Sequence, residues 1–346
     1  MKNFATQKEH TEYLYRKSLK KDSTIAGLIL IIFFEVMAAV SFITILIPLF
    51  VKALTSDDIF SVLTDTSFLT DTTFIMIISG LASLITFFGV AIIYSIIAKV
   101  DFGKTFPLEK LGFKLTFLLC TFGLAVAMVA NYVANMMVGV FDMFGIDAYV
   151  DIEYVCDGPL DVLLFYVTVA ILPALVEEFA FRGVILGKLR KHSDSLAVLV
   201  SAVVFGLIHG NFTQIPFAFV VGLVLGYITV KTNSLLPAII IHFLNNGISV
   251  TLSLLQTNTN LSDHAVNLVS VCFTFVIAVL GINSFTILCR KHKGFFKLYG
   301  ANNNIPFKEK VKTVCKSPTM IIFSVLTFSE AILMLAEPYL TEMNLT

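Results

Sequence analysis

Charge is what this sequence has least of. Asp, Glu, Lys and Arg make up 14% of its 346 residues, where soluble domains run at about 25%. That scarcity excludes a disordered chain and a nucleic-acid binder, both of which depend on charge. Cysteine is sparse as well. Cys120, Cys156, Cys272, Cys289 and Cys315 are odd in number and form no CxxC pair, which argues against a disulfide scaffold and a cysteine-based zinc site. No HExxH helix signature, internal repeat or low-complexity tract is present. A cleavable signal peptide is not expected, because residues 1–22 are polar and the first apolar run is too long for an h-region. What fills the chain instead is apolar: 57% hydrophobic residues and a mean hydropathy of +0.89. One soluble core cannot hide that excess, so much of it faces lipid.

A spanning helix needs about 20 mostly apolar residues. Runs of that kind lie at 24–51, 74–98, 115–140, 160–178, 196–212, 214–230, 234–255, 265–289 and 318–336. The expectation is an all-α polytopic membrane protein of about nine transmembrane helices. The runs at 196–212 and 214–230 are short enough to form one re-entrant hairpin instead. Basic residues set the orientation. They gather in 1–22, 99–114, 179–195, at Lys231 and in 290–317, all on alternate sides of the nine runs, and only Lys52 falls in a loop of the other set. By the positive-inside rule the N-terminus is cytoplasmic and the C-terminus outside.

The opposite loops are acidic, with Asp57, Asp58, Asp65 and Asp71 in one and Asp142, Asp147, Asp151, Glu153 and Asp157 in another. Their spacing matches no EF-hand, and they read as solvated loops. The basic loop 290–317 interleaves Phe295, Phe296 and Phe307 with lysines and is expected on the anionic inner leaflet. The chain divides into a cytoplasmic segment 1–23, N-terminal helices over 24–150, a core over 151–256 and C-terminal helices over 257–346.

Ionisable groups within membrane spans are costly, so each is a functional candidate. They are Glu35, Glu177, Glu178, His209, His242 and Glu330, with Arg182 just beyond Glu178. Glu35 and Glu330 stand alone and are expected to make interhelical hydrogen bonds in protonated form. Five of the seven fall within 177–242. Glu178 and Arg182 are four apart, acid first, the favourable order for a helical ion pair. Glu177 is turned about 100° away, so one helix offers a paired carboxylate and a free one. Pro173 removes the amide that would bond the Val169 carbonyl and is expected to kink the helix before the glutamates. His242 and Asn246 share a helix face. The helical rise puts Glu177 and His209 roughly 20 Å, and His242 roughly 15 Å, from their basic ends. An acid and two imidazoles therefore sit at similar depth.

A carboxylate near an imidazole can activate water as a general base. A second histidine with an amide on its face can stabilise an oxyanion. Together they suit peptide hydrolysis without a Ser or Cys nucleophile. Glu177, His209 and His242 could instead ligate zinc, though without the usual HExxH signature. A proton relay in a transporter uses the same groups, but transporters tend to show inverted repeats and none is visible. A catalytically silent scaffold is the third reading.

Glu177-Glu178-x-x-x-Arg182, Phe205-x-x-x-His209 and His242-x-x-x-Asn246 together resemble the three-motif signature of the CPBP intramembrane proteases. That family includes the type II CAAX prenyl endopeptidases and the Abi bacteriocin-processing or immunity proteins. The motifs cover about residues 170–250. The resemblance implies an intramembrane glutamic endopeptidase. Glu177 would polarise water with help from His209, and His242 and Asn246 would form the oxyanion pocket. Glu178 and Arg182 would hold Glu177 and its helix in place. It implies no cofactor, with zinc as the alternative, and a peptide or membrane-protein substrate in a bacterial plasma membrane, in bacteriocin processing or self-immunity. The resemblance does not address oligomeric state, and nothing implies nucleic acid.

Overall fold

A computed structural model describes residues 7–55, 71–146, 154, 156–291, 294–298 and 305–344. The acidic loop residues Asp57, Asp58, Asp65, Asp147, Asp151 and Glu153, and parts of the basic loop 290–317, lie outside the described residues. Among the described residues the regular structure is helical, apart from an isolated β-bridge between Leu108 and Ser234. We number the helices α1 (Gln7–Thr55), α2 (Thr72–Ile97), α3 (Phe113–Met143), α4 (Pro159–Arg190), α5 (Asp194–Leu207), α6 (Gln214–Thr232), α7 (Leu236–Thr257), α8 (Asp263–Lys291), α9 (Phe307–Cys315) and α10 (Pro318–Asn344).

Among the described residues, eight helices are long and apolar enough to cross a membrane. The chain is a multi-pass membrane protein. The full span expected at 196–212 is corrected: α5 has 14 residues, about 21 Å against a hydrocarbon core of about 30 Å. It stops because Gly210 adopts a left-handed φ of +58°, a conformation that ends helices and that glycine takes without steric cost. The chain turns through 208–213 and returns as α6, and α5 and α6 pack as the most extensive helix pair in the molecule. At Gly206 an added Cβ would lie 2.8 Å from the Ile215 carbonyl oxygen, so the absence of a side chain lets this hairpin close. Because α5 still leads away from the basic end and α6 returns to it, the alternation of basic and acidic loops is unchanged.

Three segments widen to π-helical geometry: Leu84–Gly89 in α2, and Tyr166–Ile171 and Glu178–Leu186 in α4. Such segments occur frequently at functional sites. Pro173 lies two residues beyond the end of the second of them. The core around the last is aromatic, with Phe33 of α1, Phe87 of α2 and Phe181 of α4 meeting at ring separations of 5.5–6.1 Å.

At the basic end, Asp22 of α1 reaches Lys188 (3.3 Å), Lys191 (2.9 Å) and His192 (2.8 Å) at the end of α4. Arg16 donates to Glu309 of α9 at 3.0 Å. That hydrogen bond, with Lys312 nearby, holds the Glu309 carboxyl below its ordinary range. The expectation for Glu35 is corrected: it is exposed on the flank of α1 rather than set between helices. Glu330 of α10 lies against Gly210 in the turn after α5, and its Oε2 has no hydrogen-bond partner among the described residues.

Candidate active site

Glu178 and Arg182 form the ion pair that their spacing suggests. Arg182 Nη1 donates to Glu178 Oε1 at 2.6 Å, with both side chains fully buried. The guanidinium also lies 4.2 Å above the Phe205 ring, a cation–π contact strengthened by the lack of water. His242 Nδ1 lies 2.9 Å from the same Glu178 oxygen. That oxygen already accepts from arginine, so the imidazole nitrogen is the donor. The pair therefore orients His242 of α7. When the ring is neutral, its Nε2 is a bare acceptor, 4.0 Å from Glu177 Oε2. Glu177 is the free carboxylate of α4, at the junction with the π-helical segment.

His209 stands in the turn after α5. Its Nδ1 lies 2.7 Å from the Phe205 carbonyl. A carbonyl can only accept, so Nδ1 carries the proton and the neutral ring keeps Nε2 as an acceptor. The Phe205 ring meets His209 edge-on at 5.1 Å and His242 at 6.0 Å. One phenylalanine thus contacts both imidazoles and Arg182. The structure brings Glu177, Glu178, Arg182, His209 and His242 into one region.

Asn246 is placed differently from a free oxyanion donor. Its Nδ2 donates to the Val169 carbonyl at 2.9 Å, the acceptor that Pro173 leaves without a helical partner. Its Oδ1 accepts from Asn245 Nδ2 at 3.1 Å. Beside these residues is a cavity of about 380 Å³ lined by His209, Asn245 and Asn246, by Asn131 and Asn135 of α3, and by Gln214 of α6. Asn245 and this amide wall were not among the sequence candidates. The spacing of Asn131 and Asn135, four apart in an apolar run, is the signal that could have found the wall.

Among the described residues, no three His, Cys, Asp or Glu side chains are grouped to hold a metal ion. Both Nδ1 atoms are engaged, by Glu178 and by a backbone carbonyl, which leaves each Nε2 as the acceptor toward water or an ion.

Residues 159–248, from the start of α4 into α7, match the family described as Rce1-like, type II CAAX prenyl endopeptidase Rce1-like. A stretch of 100 residues is 37% identical to "Membrane-embedded CAAX protease MroQ" of Staphylococcus aureus (strain USA300). This segment is similar to that family. The match to the staphylococcal protein covers 27% of this chain and 40% of that protein's length. The matched segment contains every group around Glu177 described above, whereas α1–α3 and α8–α10 lie outside it. No solved structure matches the chain.

Proposed function

We propose that this protein is an intramembrane endopeptidase that hydrolyses peptide bonds of membrane-associated or peptide substrates, using water activated by Glu177 and no metal. The observation that carries the reading is a relay of charges: the Arg182-paired Glu178 fixes His242, whose free nitrogen faces the unpaired Glu177 at 4.0 Å. The family of the segment and the printed name of its relative support the class of reaction.

In this mechanism the Glu177 carboxylate takes a proton from water as the water oxygen attacks the peptide carbonyl carbon. His209 Nε2 accepts the water's second hydrogen and orients it. The amide hydrogen that Asn246 retains after bonding Val169 donates to the oxyanion, and His242, held by the Glu178 carboxylate, lies beside it in the pocket. Asn245 adds a neighbouring amide. Glu177 then returns its proton to the departing nitrogen as the C–N bond breaks, leaving a carboxyl and an amine. The proposed setting is a bacterial membrane, in bacteriocin maturation or self-immunity.

The test is turnover of a fluorogenic peptide library by detergent-purified protein. Wild type should cleave, and Glu177→Gln should lose at least ~10²-fold, the usual weight of a general base, while unfolding at nearly the wild-type temperature. Equal turnover by the two proteins would overturn the role of Glu177, and no turnover by wild type would overturn the protease reading. About one zinc per active chain, with activity tracking its removal and return, would overturn the metal-free mechanism alone.

A further inference from the structure

The cavity beside His209 has a mouth, and its residues say at which end of the molecule it lies. α3 starts at Phe113, between Lys110 and Lys114 at the basic end. Asn131 is about 27 Å and Asn135 about 33 Å along that helix. The hydrocarbon core is about 30 Å thick, so the two amides straddle its far edge, on the side of Asp142. Both are exposed on the protein surface. A carboxamide at that depth cannot face lipid without losing hydrogen bonds, so it borders water or substrate. Across from them, Gln214 opens α6 at the end opposite Lys231, and Ser249 lies in the half of α7 away from Leu236. Both line the cavity and both are exposed.

The floor is closed. His209 sits at the tip of α5, about 21 Å from the basic end, and Asn245 beside it is buried. Between them and the basic end lie the fully buried Glu178–Arg182 pair and the buried side chains of Phe181, Ile185 and Leu196. This plug is dry and packed, whereas the opposite side is lined with amides.

The lining also constrains what enters. His209 is its one ionisable group, and the other polar groups are neutral amides and hydroxyls. Carboxamides both donate and accept, as peptide groups do. A helix of about 10 Å diameter would exhaust a space of 380 Å³ within about one turn.

We infer that the site takes its substrate from the acidic end of the molecule, as an extended, uncharged stretch of polypeptide. The direction of access stands independently, while the substrate class rests on the protease reading.

The experiment separates the two. In the full chain with its five native cysteines replaced, single cysteines are placed by Asn135→Cys, Ser249→Cys and His209→Cys. Lys110→Cys and Asp142→Cys serve as references for the two ends. Membrane vesicles of both orientations are treated with a charged, membrane-impermeant thiol reagent. All three test positions should react in the vesicles in which Asp142→Cys reacts. Reaction together with Lys110→Cys, or none from either side while Asp142→Cys reacts, would overturn the inference. Asn135→Cys and Ser249→Cys keep the result decisive if His209→Cys misfolds.

With a cleaved peptide in hand, Asn135→Lys should raise KM several-fold and change kcat less than twofold. An unchanged KM would overturn the substrate class. No cleavage by wild type would overturn the substrate class together with the protease reading, and the labelling alone would decide access.

Discussion

Among the described residues, Arg182 is the largest side chain fully removed from solvent, and its charge is answered by one carboxylate at 2.6 Å. Breaking such a buried pair costs about 3–5 kcal/mol, because the remaining charge is stranded. Arg182→Ala should therefore lower the unfolding temperature in detergent far more than Glu177→Gln, whose side chain reaches His242 Nε2 only at 4.0 Å. The opposite ranking would mean that the structural and chemical roles are exchanged. Gly210 offers a second measurement. An alanine there would hold a left-handed conformation, costing about 1–2 kcal/mol, and its Cβ would lie 2.6 Å from Glu330 Oε2. Gly210→Ala should destabilise the protein, and Glu330→Ala should recover the steric share of the loss but not the backbone share. Full recovery would show that the backbone conformation carries no cost. At this scale the i, i+4 pairing of Glu178 with Arg182 was legible because helical spacing dictates it. The engagement of His242 by Glu178 was not, because a contact 64 residues apart depends on how α4 and α7 pack.

The α4 helix shows how one residue's chemistry propagates through an element. Proline at 173 cannot donate, the turn before it opens to π geometry, and the Val169 carbonyl is taken by Asn246. Restoring an amide with Pro173→Ala supplies a competing donor from within the helix. Asn246→Ala should cost about 0.6–1.7 kcal/mol in the wild-type background, the range for membrane interhelical hydrogen bonds. It should cost clearly less when combined with Pro173→Ala. An additive double-mutant cycle, read by thermal unfolding, would show that the Val169 bond carries no coupling. The free carbonyl was readable from Pro173 alone, but its partner was not. α5 departs from the sequence reading for a related reason. Hydropathy averages over the residues around His209 and sees a continuous apolar run, while a single left-handed glycine ends the helix.

At the scale of the molecule, the basic loops alternate along the chain and the helices keep them at one end. By the positive-inside rule that pattern predicts a cytoplasmic N-terminus. In intact cells, an impermeant thiol reagent should label Asp142→Cys and spare Lys110→Cys until the membrane is permeabilised. Labelling in the reverse order would invert the orientation. Eight of the nine expected spans and their alternation were legible because lipid solvation imposes length and composition on each span. The amide-lined cavity was not, because uncharged carboxamides leave no mark on a count of ionisable groups.

The Arg182–Glu178 pair also bears on how the protein is made. A lone arginine at the centre of a nascent span costs about 2.5–3.5 kcal/mol at the translocon. Here the neutralising carboxylate is on the same helix, four residues earlier, so both emerge from the ribosome together. His242 is synthesised 64 residues after Glu178, several seconds later at roughly 5–20 residues per second. The segment can therefore cross into the bilayer with its charge already balanced, before the imidazole it will orient exists.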